Sequence, residues 1–525
     1  MLRTVRLFTN FWCSRSPSTL AISGRRNTTT LRPKNLASSA QTESHYMVKD
    51  YDQMCKCCDE RVAEMQQIDP CGVFVNNEVR LGQLEIFGFD FDHTLATYTQ
   101  ALDEFIFDEA RNWLVKQMKY PEELMDLTYS ADFAIRGLHF DVQRGYLMKV
   151  DSFHNIQLDT VHRGLTPVRS EESLQAYQGN HLPGTCLKQS TFNIFGHLIQ
   201  STSKNPPMFQ LMDVFTLPEF YLLCCIIEHF DRNHFNYQPI YVYQDVSNSV
   251  ARVHKSGLLG LTIMGNPEKY IKPDHHLSGF LRQLVSNGRK LFVISNNSAS
   301  FIDRGLRFLI GDDWRLLFDV IISSAKKPSF FQHDTRPFRH MDECGGFKDW
   351  EPVKSLHKSH IYEGGSLSEL IRLTKWNAKN ILYFGDHVYS DLADVSNLQG
   401  WTTAAVIPEL EHEIKVNNKV DFHKCWIKVQ GLERLIDKHQ HVRSSQAVAL
   451  LNTWHAEREK LRHQSKVSFN QHFGSIFRSF HNPSYFSRRL SQYAILYTSK
   501  VTNLSQYPLN HYFYPKRSAL PHESS

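Results

Sequence analysis

The sequence predicts an α/β protein in which a parallel sheet, buried on both faces, carries a large inserted domain. Three observations predict it. Four short apolar runs recur, at residues 84–91, 290–295 (KLFVIS), 318–323 (FDVIIS) and 381–384 (ILYF), each bounded by polar residues. Helix-like segments lie between the later runs. A long interval separates the first run from the second. Continuous apolar runs of this length, without alternation, are the pattern of strands covered on both faces.

The elements follow in chain order. Residues 1–42 hold seven basic residues (Arg3, Arg6, Arg15, Arg25, Arg26, Arg32, Lys34) and no acid, and are rich in Ser and Thr. Val5, Phe8 and Trp12 fall at helix-like spacing. This is the composition of a mitochondrial transit peptide, with a plain basic tail as the simpler alternative. Residues 43–104 hold a helical stretch (43–70) and the first core strand. Residues 105–267 read as an inserted α+β cap, with helices at Ala101 to Lys119 and Leu217 to Asn233 and a hairpin near Leu138 to Asp159. Residues 268–440 supply the rest of the core. Residues 441–525 begin as a charged helix (Ser445 to His463) and become an aromatic- and Arg-rich extension.

Whole-chain properties bound the function. A chain of 525 residues exceeds one ordinary domain. Apolar residues make up 41% and charged residues 22%, which is globular composition. Removing the seven basic residues of the arm from a net charge of +5 leaves −2 for residues 43–525. The body therefore does not have the charge of a nucleic-acid-binding protein. No stretch approaches the ~18–20 apolar residues of a membrane span. The ten cysteines are irregularly spaced. Cys55, Cys57, Cys58 and Cys71 lack the paired spacing of a zinc site and read as helix thiols.

In open parallel sheets, ligands bind beyond the carboxyl ends of the strands. The polar residues just past each expected strand are Asp90, Asp92 and Thr94 (GFDFDHTL), then Ser295, Asn296 and Asn297, then Lys327 (AKKP), then Asp386 and Asp391 (FGDHVYSD). They make sense as one site. Asp90 can attack phosphorus and form an aspartyl-phosphate. Asp92 can protonate the leaving oxygen and then deprotonate the attacking water. Carboxylates so crowded call for a hard divalent cation, and Mg²⁺ suits oxygen ligands plus phosphate. Asp90 and Asp386, with the main chain of Asp92, are the expected ligands. Ser295, Asn296 and Asn297 are expected to hold the phosphoryl oxygens. Lys327 adds positive charge there, Asp391 orients Lys327 or a metal-bound water, and Gly385 gives the backbone room. Each motif alone has a plain reading as a cap or a surface residue. Their joint order is hard to explain that way.

These motifs resemble the haloacid dehalogenase superfamily, whose core is a Rossmann-like parallel sheet. More closely, the chain is similar to the cytosolic purine 5′-nucleotidase group. The likeness is carried by GFDFDHTL, RGLHFD (136–141), GYLMKVD (145–151), LPEFYLL (217–223), AKKPSFF (325–331), YEGGS (362–366) and ILYFGDHVYSDL (381–392). For one mitochondrial branch it continues through FGSIFRS (473–479), QYAILYTS (492–499) and PHESS (521–525). The resemblance implies a cap between the first and second motifs and Mg²⁺ on Asp90, Asp92 (main chain) and Asp386. It also implies hydrolysis of nucleoside 5′-monophosphates.

Departures fall in the cap. Where the purine enzymes carry an Arg, an Asp, a His and a Lys, only His254 matches, the others being Ser247, Ala251 and Gly260. Phe215 matches the aromatic that stacks on the base, and Met212 replaces a neighbouring Asn. On their own, Phe215 reads as core and His254 as a helix-end residue before Gly257. The expected partner is thus a small phosphate monoester, a nucleotide, with its base unassigned. A homo-oligomer is compatible with the aromatic tail. The competing reading is a binding protein that kept the fold without the activity. The altered cap favours it, and the retention of Lys327 and Asp391 speaks against it. A phosphotransferase would use the same covalent intermediate.

Overall fold

The computed structural model describes residues 34–187, 208–332, 336–341 and 350–517. Residues 1–33 of the expected transit peptide and the terminal PHESS lie outside them.

A nine-stranded sheet organises the molecule. Its strands in chain order are β1 (Val73–Val75), β2 (Ile86–Phe89), β3 (Lys290–Ile294), β4 (Val320–Ser323), β5 (Phe338–His340), β6 (Ile361–Gly364), β7 (Ile381–Gly385), β8 (Thr402–Val406) and β9 (Leu496–Thr498). Across the sheet the order is β1-β9-β8-β7-β2-β3-β4-β6-β5. All neighbours from β9 to β6 run parallel, and β1 and β5 close the two edges antiparallel. The four apolar runs of the sequence are thus the adjacent central strands β7, β2, β3 and β4. In register, Phe87 lies between Leu291 and Leu382, and Phe89 between Val293 and Phe384. Gly88 is needed by this packing, because a Cβ there would sit 2.1 Å from the Phe292 ring. The expected Rossmann-like core with a cap between the first two motif strands is the architecture observed.

Between β2 and β3 the chain builds the cap. Its five-stranded antiparallel sheet has the order 166–167, 162–163, 146–149, 138–141, 209–210. The expected hairpin is the pair Leu138–Asp141 and Tyr146–Lys149. Asp141 fixes its turn: the carboxylate accepts from the backbone N–H groups of Gln143 (2.9 Å) and Arg144 (3.1 Å). Helices pack against this sheet. With α1 (Lys34–Ala63) assigned to the N-terminal segment, the cap holds α2 (Gln100–Met118), α3 (Thr216–Arg232) and α4 (Pro239–Lys255). One apolar cluster runs unbroken from Phe89 and Phe91 of the core to Phe140 and Phe220 of the cap. That continuity seats the cap on the core at a fixed place.

Two further helices, α5 (Val420–His439) and α6 (Ser445–Val467), form a bundle with α1 around Met47, Leu432 and Trp454. Cys55, Cys57 and Cys58 lie on α1 as free thiols. The chain end does more than extend the core, because β9 is inserted between β1 and β8 within the central sheet. Among the described residues, no helix is long and apolar enough to cross a membrane.

Candidate active site

The carboxyl ends of β2, β3, β4 and β7 share one edge of the sheet, and the motif residues follow directly from them. The first motif leaves β2 with one more ladder bond, from the Asp90 N–H to the Phe384 carbonyl (2.9 Å). The Asp90 carboxylate then accepts from the Phe91 N–H through Oδ1 (2.7 Å) and from the Lys327 ammonium through Oδ2 (2.8 Å). Lys327 also donates to Asp391 Oδ1 (2.7 Å). Its side chain is only 3% exposed. Burial opposes its charge, and Asp391 and Asp90 more than restore it, so Lys327 remains an ammonium.

Asp391 sits in a wide helical turn, Val388–Ala393, that follows β7. The Nδ1 of His387 accepts from the N–H groups of Tyr389 (3.2 Å) and Ser390 (3.1 Å) and so starts that turn. Nδ1 is therefore unprotonated, and the ring proton sits on Nε2. Gly385 makes room here, but for a side chain: a Cβ would lie 2.3 Å from the Cβ of Asp391.

Carboxylate oxygens of Asp90, Asp386 and Asp391 all lie within 4.8 Å of one another, and all three residues are buried. Among the described residues this is the one group of such side chains with metal-ligand spacing. Burial pushes Asp90 and Asp386 upward and the nearby carboxylates add to it, while Lys327 pulls Asp90 and Arg136 pulls Asp386 back down. Three acids against one ammonium leave the site short of cationic charge, and the donor set is all oxygen. A hard divalent cation such as Mg²⁺ fits it. The sequence expected Asp391 to stand behind the ligands, orienting Lys327. It bonds Lys327 and also stands among the ligand candidates.

Asp92 points elsewhere. Its Oδ1 accepts from the Tyr98 hydroxyl (2.5 Å) and its Oδ2 from the Asn297 amide (2.8 Å). Burial raises its pKa, while the bonds from Tyr98 and Asn297 pull it down. The asparagines expected to bind phosphoryl oxygens have partners within the protein. Besides Asn297 on Asp92, the Asn296 side chain clasps the Lys327 backbone, donating to its carbonyl (3.2 Å) and accepting from its N–H (2.6 Å). Ser295 is fully buried, its hydroxyl accepting from the Asn297 N–H (3.1 Å), and it does not line the cleft. Those asparagine bonds lock the second and third motifs to the first.

These residues floor a cleft of about 640 Å³ roofed by the cap. The roof comes from the start of α3, from α4 and from residues 257–263. Phe215 and His254 both line it, their rings 5.5 Å apart edge to face. Phe215 is half-buried and also meets His93 at 4.6 Å, so it is both a wall of the cleft and part of its packing. Ser247, Ala251 and Gly260 line the roof as well. Met212 is buried in the second core cluster and does not reach the cleft.

Four residues of this region were not anticipated as site residues. Tyr98 holds Asp92. Arg136, which is buried, donates to the Asp386 carbonyl (3.1 Å) while its guanidinium grips Glu409 through two bonds (2.7 and 2.5 Å). Asp213 and Glu219 line the cleft from the cap side. The sequence signal for Arg136 and Glu219 was their presence in RGLHFD and LPEFYLL, and for Tyr98 its position just after the first motif. Asp213 carried none.

Comparison with known proteins gives the family. The pattern of the 5′ nucleotidase family matches residues 73–525. 5′-Nucleotidase domain-containing protein 2 from Homo sapiens is 42% identical over 458 residues, covering 87% of this chain and 86% of that protein. The protein of the same name from Rattus norvegicus is also 42% identical, over 87% of this chain and 81% of its own length. A 5′-nucleotidase domain-containing protein from Dictyostelium discoideum is 36% identical over 88% of this chain and 76% of its own. The chain belongs to the 5′-nucleotidase family, and it is a phosphoric monoester hydrolase.

Proposed function

We propose that the protein is a Mg²⁺-dependent 5′-nucleotidase that cleaves nucleoside 5′-monophosphates through an aspartyl-phosphate on Asp90. The observation that carries the reading is the Lys327 ammonium shared between Asp90 and Asp391, with Asp386 beside them, at the floor of a capped cleft. Asp90 Oδ attacks phosphorus as the ester oxygen departs, and Asp92 gives that oxygen its proton. The alcohol leaves with the proton, and the phosphoryl group stays on Asp90. Asp92, now a carboxylate, takes a proton from water, and the water oxygen attacks the same phosphorus. Inorganic phosphate departs and Asp90 and Asp92 return to their starting states. Tyr98 and Asn297 hold Asp92 in place for both transfers. Lys327 offsets charge on the phosphoryl oxygens. Asp90, Asp386 and the main chain of Asp92 would hold Mg²⁺, with Asp391 within reach of the same position. The ion would neutralise the carboxylates and polarise the phosphoryl group when bound. Burial raises the pKa of Asp92, toward the protonated form its first step requires, and the bonds from Tyr98 and Asn297 pull the other way.

The test is a panel of nucleoside 5′- and 3′-monophosphates and p-nitrophenyl phosphate, with and without Mg²⁺, against Asp90→Asn. Wild type should release phosphate only with the metal. Loss of the nucleophile should lower kcat by at least ~10⁴-fold. Identical backgrounds in both proteins across the panel would reject the reading and leave a binding protein. The basic arm supports delivery to the mitochondrion. Imaging the full-length chain against one starting at residue 43 checks that.

A further inference from the structure

We infer that Glu219 selects the leaving group, and that the substrate is a nucleoside 5′-monophosphate whose base carries an exocyclic amino group. The inference rests on the nucleotidase reading and adds the chemistry of the base.

Glu219 lies in the first turn of α3 and lines the cleft, only 7% exposed. Among the described residues no Lys, Arg or His pairs with it. Its one side-chain contact of note is the Ser247 hydroxyl. Burial pushes Glu219 up to about 7 while the Ser247 hydroxyl pulls it down, and the carboxylate form gains from any further donor in the cleft. A helix N-terminus favours an acid in its first turn, but such acids are ordinarily exposed and screened. This one faces a cavity instead, and it makes no hydrogen bond to the N–H groups of α3.

The rest of the roof makes donors the better match. Asp213 is a second acceptor beside it, its Oδ1 taking the Phe215 N–H (3.0 Å). The roof's one amine is Lys255, exposed at the end of α4. A second phosphate or a ring carbonyl would face two acids there, whereas an amino group would face its acceptors. Phe215, Val250 and Ile263 supply apolar surface for a flat ring between those acids and the phosphate floor. Sites that hydrogen-bond one substrate group reject analogues lacking it far more strongly than apolar pockets do.

The experiment measures binding, so that it does not depend on turnover. Asp90→Asn protein with Mg²⁺ is titrated calorimetrically with cytidine against uridine 5′-monophosphate, and adenosine against inosine 5′-monophosphate. Within each pair an amino group is replaced by a carbonyl, and the ring nitrogen beside it gains a hydrogen. The amino member should bind at least ~10-fold tighter. In Asp90→Asn/Glu219→Met the ratio should fall to near one. Ser247→Lys, which brings an ammonium to Glu219 and leaves that residue in place, should erase the preference as well, and it carries the test if Glu219→Met does not fold. Equal affinities in the Glu219 background, no binding of any of the four, or a ratio unchanged in both variants would overturn the inference. Hydrolysis of all four nucleotides by wild type without base preference would leave the nucleotidase reading standing and remove this one. Glu219-dependent binding without any hydrolysis by wild type would remove the nucleotidase reading, and with it the leaving-group role, and keep only the recognition of the base.

Discussion

The two walls of the cleft are built by opposite rules. On the core wall the charged and polar groups hold each other: Lys327 bridges Asp90 and Asp391, Tyr98 and Asn297 hold Asp92, and Asn296 clasps the Lys327 backbone. On the cap wall Asp213 and Glu219 have no ion-pair partner among the described residues, and apart from His254 their neighbours facing the cleft are mostly small or apolar. A wall whose dipoles are already fixed serves one reaction, because no reorganisation is needed as charge develops. A wall with idle acceptors serves recognition, because its partner comes with the substrate. The difference separates what the protein does from what it does it to.

The comparison can be broken at the core wall first. Asp90→Asn should give the largest loss, the ~10⁴-fold fall in kcat given above. Lys327→Met comes next. It leaves the volume and removes the ammonium, so kcat should fall about 10²–10³-fold, read in single-turnover assays with Mg²⁺ saturating. If Lys327→Met retains wild-type kcat, the core wall is not the charge device described here. Arg136→Met probes the join between the walls. It leaves Glu409 without its guanidinium and frees the Asp386 carbonyl, and it should destabilise the fold by about 3 kcal/mol in urea titrations. A stability unchanged within error would mean that the bidentate pair contributes nothing to seating the cap.

Tyr98→Phe sharpens the picture by removing one bond to Asp92. The Tyr98 hydroxyl stabilises the carboxylate form, so its loss should raise the pKa of Asp92. The alkaline limb of the kcat/KM profile, where the general acid loses its proton, should then move up by about one pH unit. The last effect belongs to the cap interior. His139 is fully buried, neither ring nitrogen makes a hydrogen bond of normal geometry, and burial lowers its pKa from 6.5 to about 3. The unfolded chain takes up this proton below pH 6.5 while the folded one refuses it. Its contribution is therefore intact above pH 6.5 and is lost as pH falls toward 3. His139→Phe should make the loss of stability between pH 6 and pH 4 shallower by about 1.4 kcal/mol per pH unit. Parallel curves for the two proteins would argue against it.

How far the sequence could be read follows the same division. The strands Ile86–Phe89, Lys290–Ile294, Val320–Ser323 and Ile381–Gly385 were legible because each lies mid-sheet, where both faces demand apolar side chains. The strands Thr402–Val406 (TTAAV) and Ile361–Gly364 (IYEG) were not, because their small and polar residues lack that density. Asp90, Asp92, Lys327, Asp386 and Asp391 were legible as a set because consecutive parallel strands end at one edge. What Asn296 and Asn297 bond to was not, because it depends on loops meeting across the site. Arg136 and Tyr98 escaped for a similar reason: a single Arg or Tyr has an ordinary surface or core reading until its partner is placed beside it. Glu219 looked like any acid in a first helical turn, and only burial distinguishes it.

The position of β9 has a consequence for how the protein comes into being. Strand β1 begins at Val73, but its hydrogen-bonding neighbour starts at Leu496, and the seat of Asp90 needs the Phe384 carbonyl. A ribosome making this chain must have passed Thr498 before the sheet's β1 edge can close. Until then β8 offers a bare edge where β9 belongs, a state open to wrong partners. The sheet closes on that side only when Leu496–Thr498 takes its place between β1 and β8. A chain stopped at residue 440 would retain every motif of the catalytic floor and still lack the strand that joins β1 to β8.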